Sequence, residues 1–390
     1  MPPPPRAAVL ASASGRVNLI GEHTDYNGGF VLPTAIPQRT TVELVPRTDR
    51  VVTARSRNLQ TNARYTLGQE RPRADWLDYV QGLTWALRHP SPATLLHTTQ
   101  PASRRRTAGG ERPDHQFEQL RGFDLSITSD VPLGAGLSSS AALEVAVLRA
   151  LRRAFDLGLD DVQLALVGQQ AENNFVGARS GVMDQMAASL ADSDNALFLD
   201  TRSLEYRRVP LPRAADLVVI HSGVTHDLTT GDYNTRRAEC EEAARLLGVP
   251  QLRDLALHDL DKLSALPEPL GRRARHVVLE DERVLQAVDA LEQSDLERLG
   301  QLLYASHVSL RDDFEVSVPD VDLLVELARM DPEVYGARMT GGGFGGSVVL
   351  LTRHGSGGAL ADRLTKVYAA RSGRTPQVLL PSAPPALSPT

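Results

Sequence analysis

The most constraining stretch of this chain is Pro132-Leu-Gly134-Ala135-Gly136-Leu137-Ser138-Ser139-Ser140-Ala-Ala142. Just upstream, Phe123, Leu125 and Ile127 alternate with Asp124, Ser126 and Thr128, a period of two that predicts a half-buried strand. Downstream, Leu143, Val147 and Leu151 recur at helical spacing. The chain must therefore pass from strand through a glycine-serine loop directly into a helix. Glycine allows the tight turn and lets the backbone approach a ligand with no Cβ in the way. The helix start carries unpaired amides and partial positive charge, so it attracts anions. Gly134 to Ser140 thus read as a phosphate cradle that needs no lysine. The plainer alternative is a helix cap after a tight turn.

Lysine is almost missing: only Lys262 and Lys366 occur, so 42 − 2 = 40 of the basic residues are arginine. Neither lysine adjoins a glycine-rich loop, which excludes a Walker A loop, and the strand-lysine, His-Arg-Asp and Asp-Phe-Gly signatures of protein kinases are absent.

Three further segments carry chemistry. Met339-Thr340-Gly341-Gly342-Gly343-Phe344-Gly345-Gly346 places five glycines in six positions immediately before an apolar strand. Ordering so many glycines costs chain entropy, and the usual reason is a backbone pressed against a ligand or another backbone. Gly15-Arg16-Val-Asn18-Leu-Ile-Gly21-Glu22-His23-Thr24-Asp25-Tyr26-Asn27 runs from a strand into a polar cluster. Its Glu22, His23 and Asp25 suit sugar hydroxyls, which carboxylates grip through charge-assisted bonds. They equally suit a metal, or an exposed polar turn. In Ser180-Gly181-Val-Met-Asp184-Gln185-Met, an acid set among apolar residues is either a surface group or a carboxylate poised for proton work. Glu172, at the end of a predicted helix over 161–173, is a candidate cation ligand.

Length and composition bound the rest. The 390 residues predict two domains, with a boundary in the charged, proline-containing stretch Asp200–Pro212. Net charge of −6 gives no attraction to nucleic acid or anionic membrane, and a single cysteine, Cys240, excludes an internal disulfide. No apolar run approaches the ~20 residues of a membrane span. The N-terminal stretch is too weakly apolar for a signal peptide, so the expected compartment is the cytoplasm. Helices are predicted over Arg236–Leu247, Ser294–Arg311 with a Ser294…Glu297 capping box, and from Pro319 to about Met330. The proline-rich ends 1–10 and 381–390 read as frayed, and His97–Arg121, with its Arg104-Arg105-Arg106 triplet, as a solvated insertion loop.

Together these motifs resemble the GHMP small-molecule kinase superfamily and, within it, the galactokinases. Gly15 to Pro33 resembles the galactokinase signature, Pro132 to Ala142 the superfamily's phosphate loop, and Met339 to Gly346 its third motif. Glu172-Asn-Asn-Phe175-Val-Gly177, Gly181-Val-Met-Asp184-Gln185 and Ser306-His-Val-Ser-Leu-Arg-Asp-Asp313 match as well, in the family's order, so the likeness runs from about Ser14 to Leu351.

The resemblance implies an α+β, two-domain GHMP kinase fold. An N-terminal mixed-sheet domain (1–200) and a C-terminal α/β-sandwich domain (201–390) would flank the active site. It implies ATP-dependent phosphorylation of α-D-galactose on its C1 hydroxyl, with Mg²⁺ as cofactor and galactose and ATP as the partners. Asp184 is implied as the catalytic carboxylate with Arg16 beside it. Glu22, His23, Asp25, Gly181 and Tyr233 are implied as sugar ligands, Tyr233 just preceding the Arg236–Leu247 helix. Gly134, Ala135, Gly136, Leu137, Ser138, Ser139 and Ser140 are implied to bind ATP, and Ser140 and Glu172 to bind Mg²⁺. A monomer acting on neither nucleic acid nor membrane is expected. Two other readings share the motifs. One is a kinase for N-acetylgalactosamine or arabinose. The other is a sugar sensor that binds without turnover, which would be expected to have lost phosphate-loop residues that are present here.

Overall fold

The computed structural model describes residues 7–92, 94, 119–224 and 230–380. The strands in chain order are β1 (Val9–Asn18), β2 (Phe30–Val31), β3 (Pro33–Pro46), β4 (Val51–Ser56), β5 (Thr61–Thr66), β6 (Phe123–Ser129), β7 (Asn195–Asp200), β8 (Tyr206–Pro210), β9 (Ala215–His221), β10 (Val334–Thr340), β11 (Ser347–Arg353) and β12 (Gln377–Leu380). The main helices are α1 (Leu77–Arg88), α2 (Ser139–Phe155), α3 (Asp161–Ala171), α4 (Met183–Leu190), α5 (Thr230–Leu247), α6 (Leu270–Glu292), α7 (Leu296–Asp312), α8 (Pro319–Arg329) and α9 (Gly357–Ser372).

These elements form two compact units that interleave in sequence. The first comprises 1–15, 38–132 and 138–190; the second comprises 16–37, 133–137 and 191–390. The division therefore differs from a cut at residue 200. The stretch 16–37 and the glycine half of the phosphate loop make most of their contacts with C-terminal residues. The expected linker at Asp200–Pro212 is instead the β7–β8 hairpin, in which Leu199 and Val209 are fully buried.

The first unit is built on a mixed sheet of order β1-β3-β6-β4-β5, in which β4 and β6 run parallel. The alternation read in Phe123–Ser129 is present: Phe123, Leu125 and Ile127 are buried between more exposed neighbours. Helix α2 contributes Val147 and Leu151 to the core, while Leu143 is half-buried at its edge. Helix α3 starts with an Asp160/Gln163 capping box and buries Leu164, Val167 and Ala171. The helix predicted over 161–173 changes at Glu172 into one π-helical turn, Glu172–Val176, closed by Gly177 at φ +93°. π-turns of this kind recur at functional sites.

The second unit holds the antiparallel sheet β10-β11-β9-β12 and the small sheet β2-β7-β8. Alternate residues of the larger sheet, Val218, Ile220, Ala337, Met339, Val348 and Leu350, enter a core shared with Leu310, Leu324, Leu360 and Tyr368. The capping box at Ser294 does not form. Ser294 has φ +56°, and Asp295 caps α7 by accepting the Arg298 amide at 2.9 Å. Pro319 does open α8. His307, which sequence left without a role, is buried and accepts the Met339 amide at 3.3 Å, so it steadies β10. Most of the expected insertion, residues 1–6 and the C-terminal end 381–390 lie outside the described residues, whereas Val9 and Leu10, expected to be frayed, open strand β1.

Candidate active site

In the second unit, β1 delivers Arg16 and Asn18 into a sharp turn. Gly21 has φ +102° and His23 has φ +66°, a left-handed conformation that a non-glycine residue adopts only when its surroundings enforce it. The Thr24 hydroxyl donates to the Gly21 and Phe30 carbonyls at 2.8 and 2.6 Å, and the Asn27 amide group donates to the His23 carbonyl at 2.8 Å. One 3₁₀ turn, Asp25–Asn27, follows, and the Asp25 carboxylate accepts the Tyr26 amide at 2.9 Å.

Glu22 is buried and heavily bonded. Its Oε2 accepts from Asn18 Nδ2 and Arg338 Nη2, both at 2.6 Å. Its Oε1 accepts from Thr340 Oγ1 at 3.1 Å and the Gly341 amide at 2.8 Å. Burial raises the Glu22 carboxyl pKa, and Arg338 opposes that shift.

His23 sits in an aromatic cluster, with ring centroids 4.6 Å from Phe314, 5.5 Å from Tyr233 and 5.9 Å from Tyr26. Its Nδ1 lies 2.9 Å from the Tyr26 hydroxyl, and the ring also makes a hydrogen bond to the Gly342 backbone. Burial, with help from nearby His276, lowers its pKa to about 3, so the ring is neutral at physiological pH. A neutral imidazole offers one donor and one acceptor nitrogen, the pair a hydroxyl can match. Tyr233 lies in the first turn of α5 rather than before it, because the helix begins at Thr230, six residues earlier than periodicity predicts.

The two glycine loops meet here. Arg16 Nη1 donates to the Gly136 carbonyl at 2.6 Å, and Ser347 Oγ donates to the Ala135 carbonyl at 2.7 Å. A Cβ on Gly341 would lie 3.0 Å from Gly136 Cα, and one on Gly342 would lie 3.3 Å from the Tyr233 ring. The five-glycine loop is thus pressed against another backbone. Gly134, at φ +69°, faces open space instead.

In the first unit, Ser138 (φ +57°) turns the chain into α2, and its buried hydroxyl has no partner among the described residues. The Ser140 side chain hydrogen-bonds Glu172. Glu172 also accepts from Ser180 Oγ and Gln185 Nε2, both at 2.8 Å. Gln185 Nε2 reaches Glu144 at 3.0 Å as well. Burial raises the Glu172 pKa, and the Asp184 charge adds to the shift; burial and then Glu172 raise Glu144 well above the carboxylate range. Ser140, Glu144, Glu172, Asp184 and Gln185 therefore form one acid-rich cluster. Asp184 and Gln185 stand in the first turn of α4, and Gly181 just before it. Sequence reasoning missed Glu144, although its place one turn after Ser140 on the same helix is a legible signal.

Comparison with known proteins agrees with this architecture. The chain matches the family models described as GHMP kinases N terminal domain (105–192), galactokinase galactose-binding signature (3–46) and GHMP kinases C terminal (287–370). It is 45% identical to a galactokinase of Chloroflexus aurantiacus, covering 98% of this chain and 92% of that one. It is 44% identical to one of Haemophilus influenzae, covering 89% and 85%. The solved structure of Lactococcus lactis galactokinase complexed with galactose superposes with a TM-score of 0.83 at 33% identity, covering 95% of this chain and 92% of that one. Methanococcus jannaschii mevalonate kinase, at 15% identity and TM-score 0.62, shares the fold. The glycine-serine loop, the Glu22–His23 turn and the five-glycine strand entry each fall within one of the three matched family models, and this chain belongs to the galactokinases of the GHMP kinase family.

Proposed function

We infer that the chain transfers the γ-phosphoryl group of ATP to the C1 hydroxyl of α-D-galactose, releasing galactose 1-phosphate and ADP. The observation that carries this reading is the His23 cluster. A neutral, buried imidazole set among Tyr26, Tyr233 and Phe314 beside Asp25 suits a polyhydroxyl ring with one apolar face.

Glu22, His23, Asp25, Gly181 and Tyr233 are the proposed sugar ligands, and Gly134 to Ser140 the proposed phosphate cradle. Asp184 is proposed to orient the C1 hydroxyl and take its proton as the oxygen bonds to the γ-phosphorus and the bond to the β,γ-bridging oxygen breaks. Because the transition state is loose, orientation and charge stabilisation supply most of the rate, and Arg16 is proposed to offset the charge that develops. Mg²⁺ fits the Ser140–Glu172 pair. Both are oxygen donors already in contact, and Mg²⁺ typically takes one or two carboxylates and fills its octahedron with phosphate and water. When bound, it neutralises charge on the β- and γ-phosphate oxygens. The same reading has the chain act as a cytoplasmic monomer. Among the described residues, no helix is long and apolar enough to cross a membrane.

The test is ADP release by the pure protein with ATP, Mg²⁺ and a panel of sugars. Turnover that selects galactose over N-acetylgalactosamine and arabinose is expected; absence of galactose-dependent ADP release overturns the reading.

A further inference from the structure

Arg338 is one of the largest fully buried side chains, with no exposed surface. It stands on β10 between Ala337 and Met339, which face the core, so its own side chain leaves from the opposite face. A guanidinium is kept out of water only where its donors and its charge are matched. Here Nε donates to Ser306 Oγ at 3.1 Å, Nη1 to the Asn18 and Leu19 carbonyls at 3.1 Å each, and Nη2 to Glu22 Oε2 at 2.6 Å. Three of these four bonds end on the segment that leads into the His23 turn.

A second buried carboxylate closes the arrangement. Glu280 of α6 lies 3.9 Å from Arg338 Nη2. It accepts Ser306 Oγ at 2.6 Å and the Gly21 amide at 3.0 Å. From the same helix, His276 Nε2 lies 3.1 Å from the Glu22 carbonyl. The backbone on the N-terminal side of His23 is therefore held by groups from β10 and α6, with Ser306 of α7 bracing Arg338 and Glu280. A strained left-handed conformation at a non-glycine residue such as His23 is kept by surroundings that over-determine it.

Resting on the proposed galactose site, we propose that Arg338 is a positioning residue for sugar binding: its fork, braced by Glu280 and Ser306, holds the Asn18–Glu22 segment so that His23 keeps its strained, ligand-facing pose. Arg338 does not itself need to touch the sugar. Lysine cannot replace it, because an ammonium is a point donor that cannot span two carbonyls, a hydroxyl and a carboxylate in one plane.

Arg338→Lys keeps the charge and loses the fork. The galactose KM of this variant should rise about tenfold or more, the scale of a lost charge-assisted bond, while the ATP KM stays within about twofold. Ser306→Ala, a milder change that frees Arg338 Nε and one bond to Glu280 but leaves the bonds to Asn18, Leu19 and Glu22, should give a smaller rise of the same selectivity, about two- to fivefold. Wild-type galactose KM in both variants, or equal rises in both KM values that track lost thermal stability, would overturn the proposal and leave Arg338 a purely structural ion. The wild-type control separates the two readings. If it lacks galactose turnover, the proposed function fails; if it turns over and the variants match it, only this inference fails.

Discussion

The amide of Gly341 donates a 2.8 Å hydrogen bond to the carboxylate of Glu22, across 319 positions of sequence. That bond fastens the five-glycine loop to the strained turn, and only glycine tolerates the geometry. Gly341 has φ +94°, and a Cβ there would meet Gly136 Cα at 3.0 Å. Gly341→Ala should therefore destabilise the protein by roughly 1–3 kcal/mol. It should also raise the galactose KM, because relieving the clash with Gly136 shifts the residue-341 amide away from Glu22. Urea titration together with sugar kinetics checks both, and an unchanged midpoint would refute the strain.

Asp184→Asn removes a charge and almost no volume from the first turn of α4. If Asp184 handles the hydroxyl proton, kcat should fall by about 10²–10⁴, while galactose binding by calorimetry stays within a few-fold. A near-normal kcat would remove Asp184 from the chemistry.

His23 should stay neutral throughout the physiological range. Its pKa is lowered to about 3 by burial, against an ordinary value near 6.5. The unfolded chain binds this proton and the folded chain does not, so the stability contributed by the neutral form is complete above the unfolded value and is lost as pH falls toward 3. NMR of the ring should show no titration between pH 5 and 8. A midpoint near 6.5 would mean that the cluster is open to water.

Asp281 behaves oppositely. Its Oδ1 accepts the Phe30 amide at 2.8 Å, Oδ2 is buried without a partner among the described residues, and burial raises the pKa to about 7. The folded chain keeps a proton that the unfolded chain has released, so stability is highest below the ordinary carboxyl range and falls as pH rises toward 7. Asp281→Asn should flatten this slope and melt several degrees above wild type at pH 8, with little difference at pH 4. Parallel melting curves at both pH values would contradict the assignment.

Local structure was largely legible in the sequence. The alternation at Phe123–Ser129, the glycine-serine entry to α2 and the proline start of α8 each depend on a few adjacent residues. The long-range groups were not. Glu280 reaches Gly21 from 259 positions away, and nothing near Glu280 marks it apart from any acid on an amphipathic helix. Arg338 adjoins the five-glycine motif, yet forty arginines gave no reason to single it out. The interleaving of the two compact units was hidden for the same reason. Composition sees breaks along the chain, whereas compactness depends on which distant stretches pair.

The interleaving has a consequence on the ribosome. Strand β1 and the His23 turn emerge long before the α6 and β10 side chains that hold them. At about 5–20 residues per second, the 259 positions from Gly21 to Glu280 represent roughly 10–50 s of synthesis. Throughout that interval the nascent signature segment has its own local bonds but not those from Glu280, His276 and Arg338. The second unit closes only late in translation, so truncated products lacking β10 should be lost to proteolysis rather than accumulate as half-enzymes.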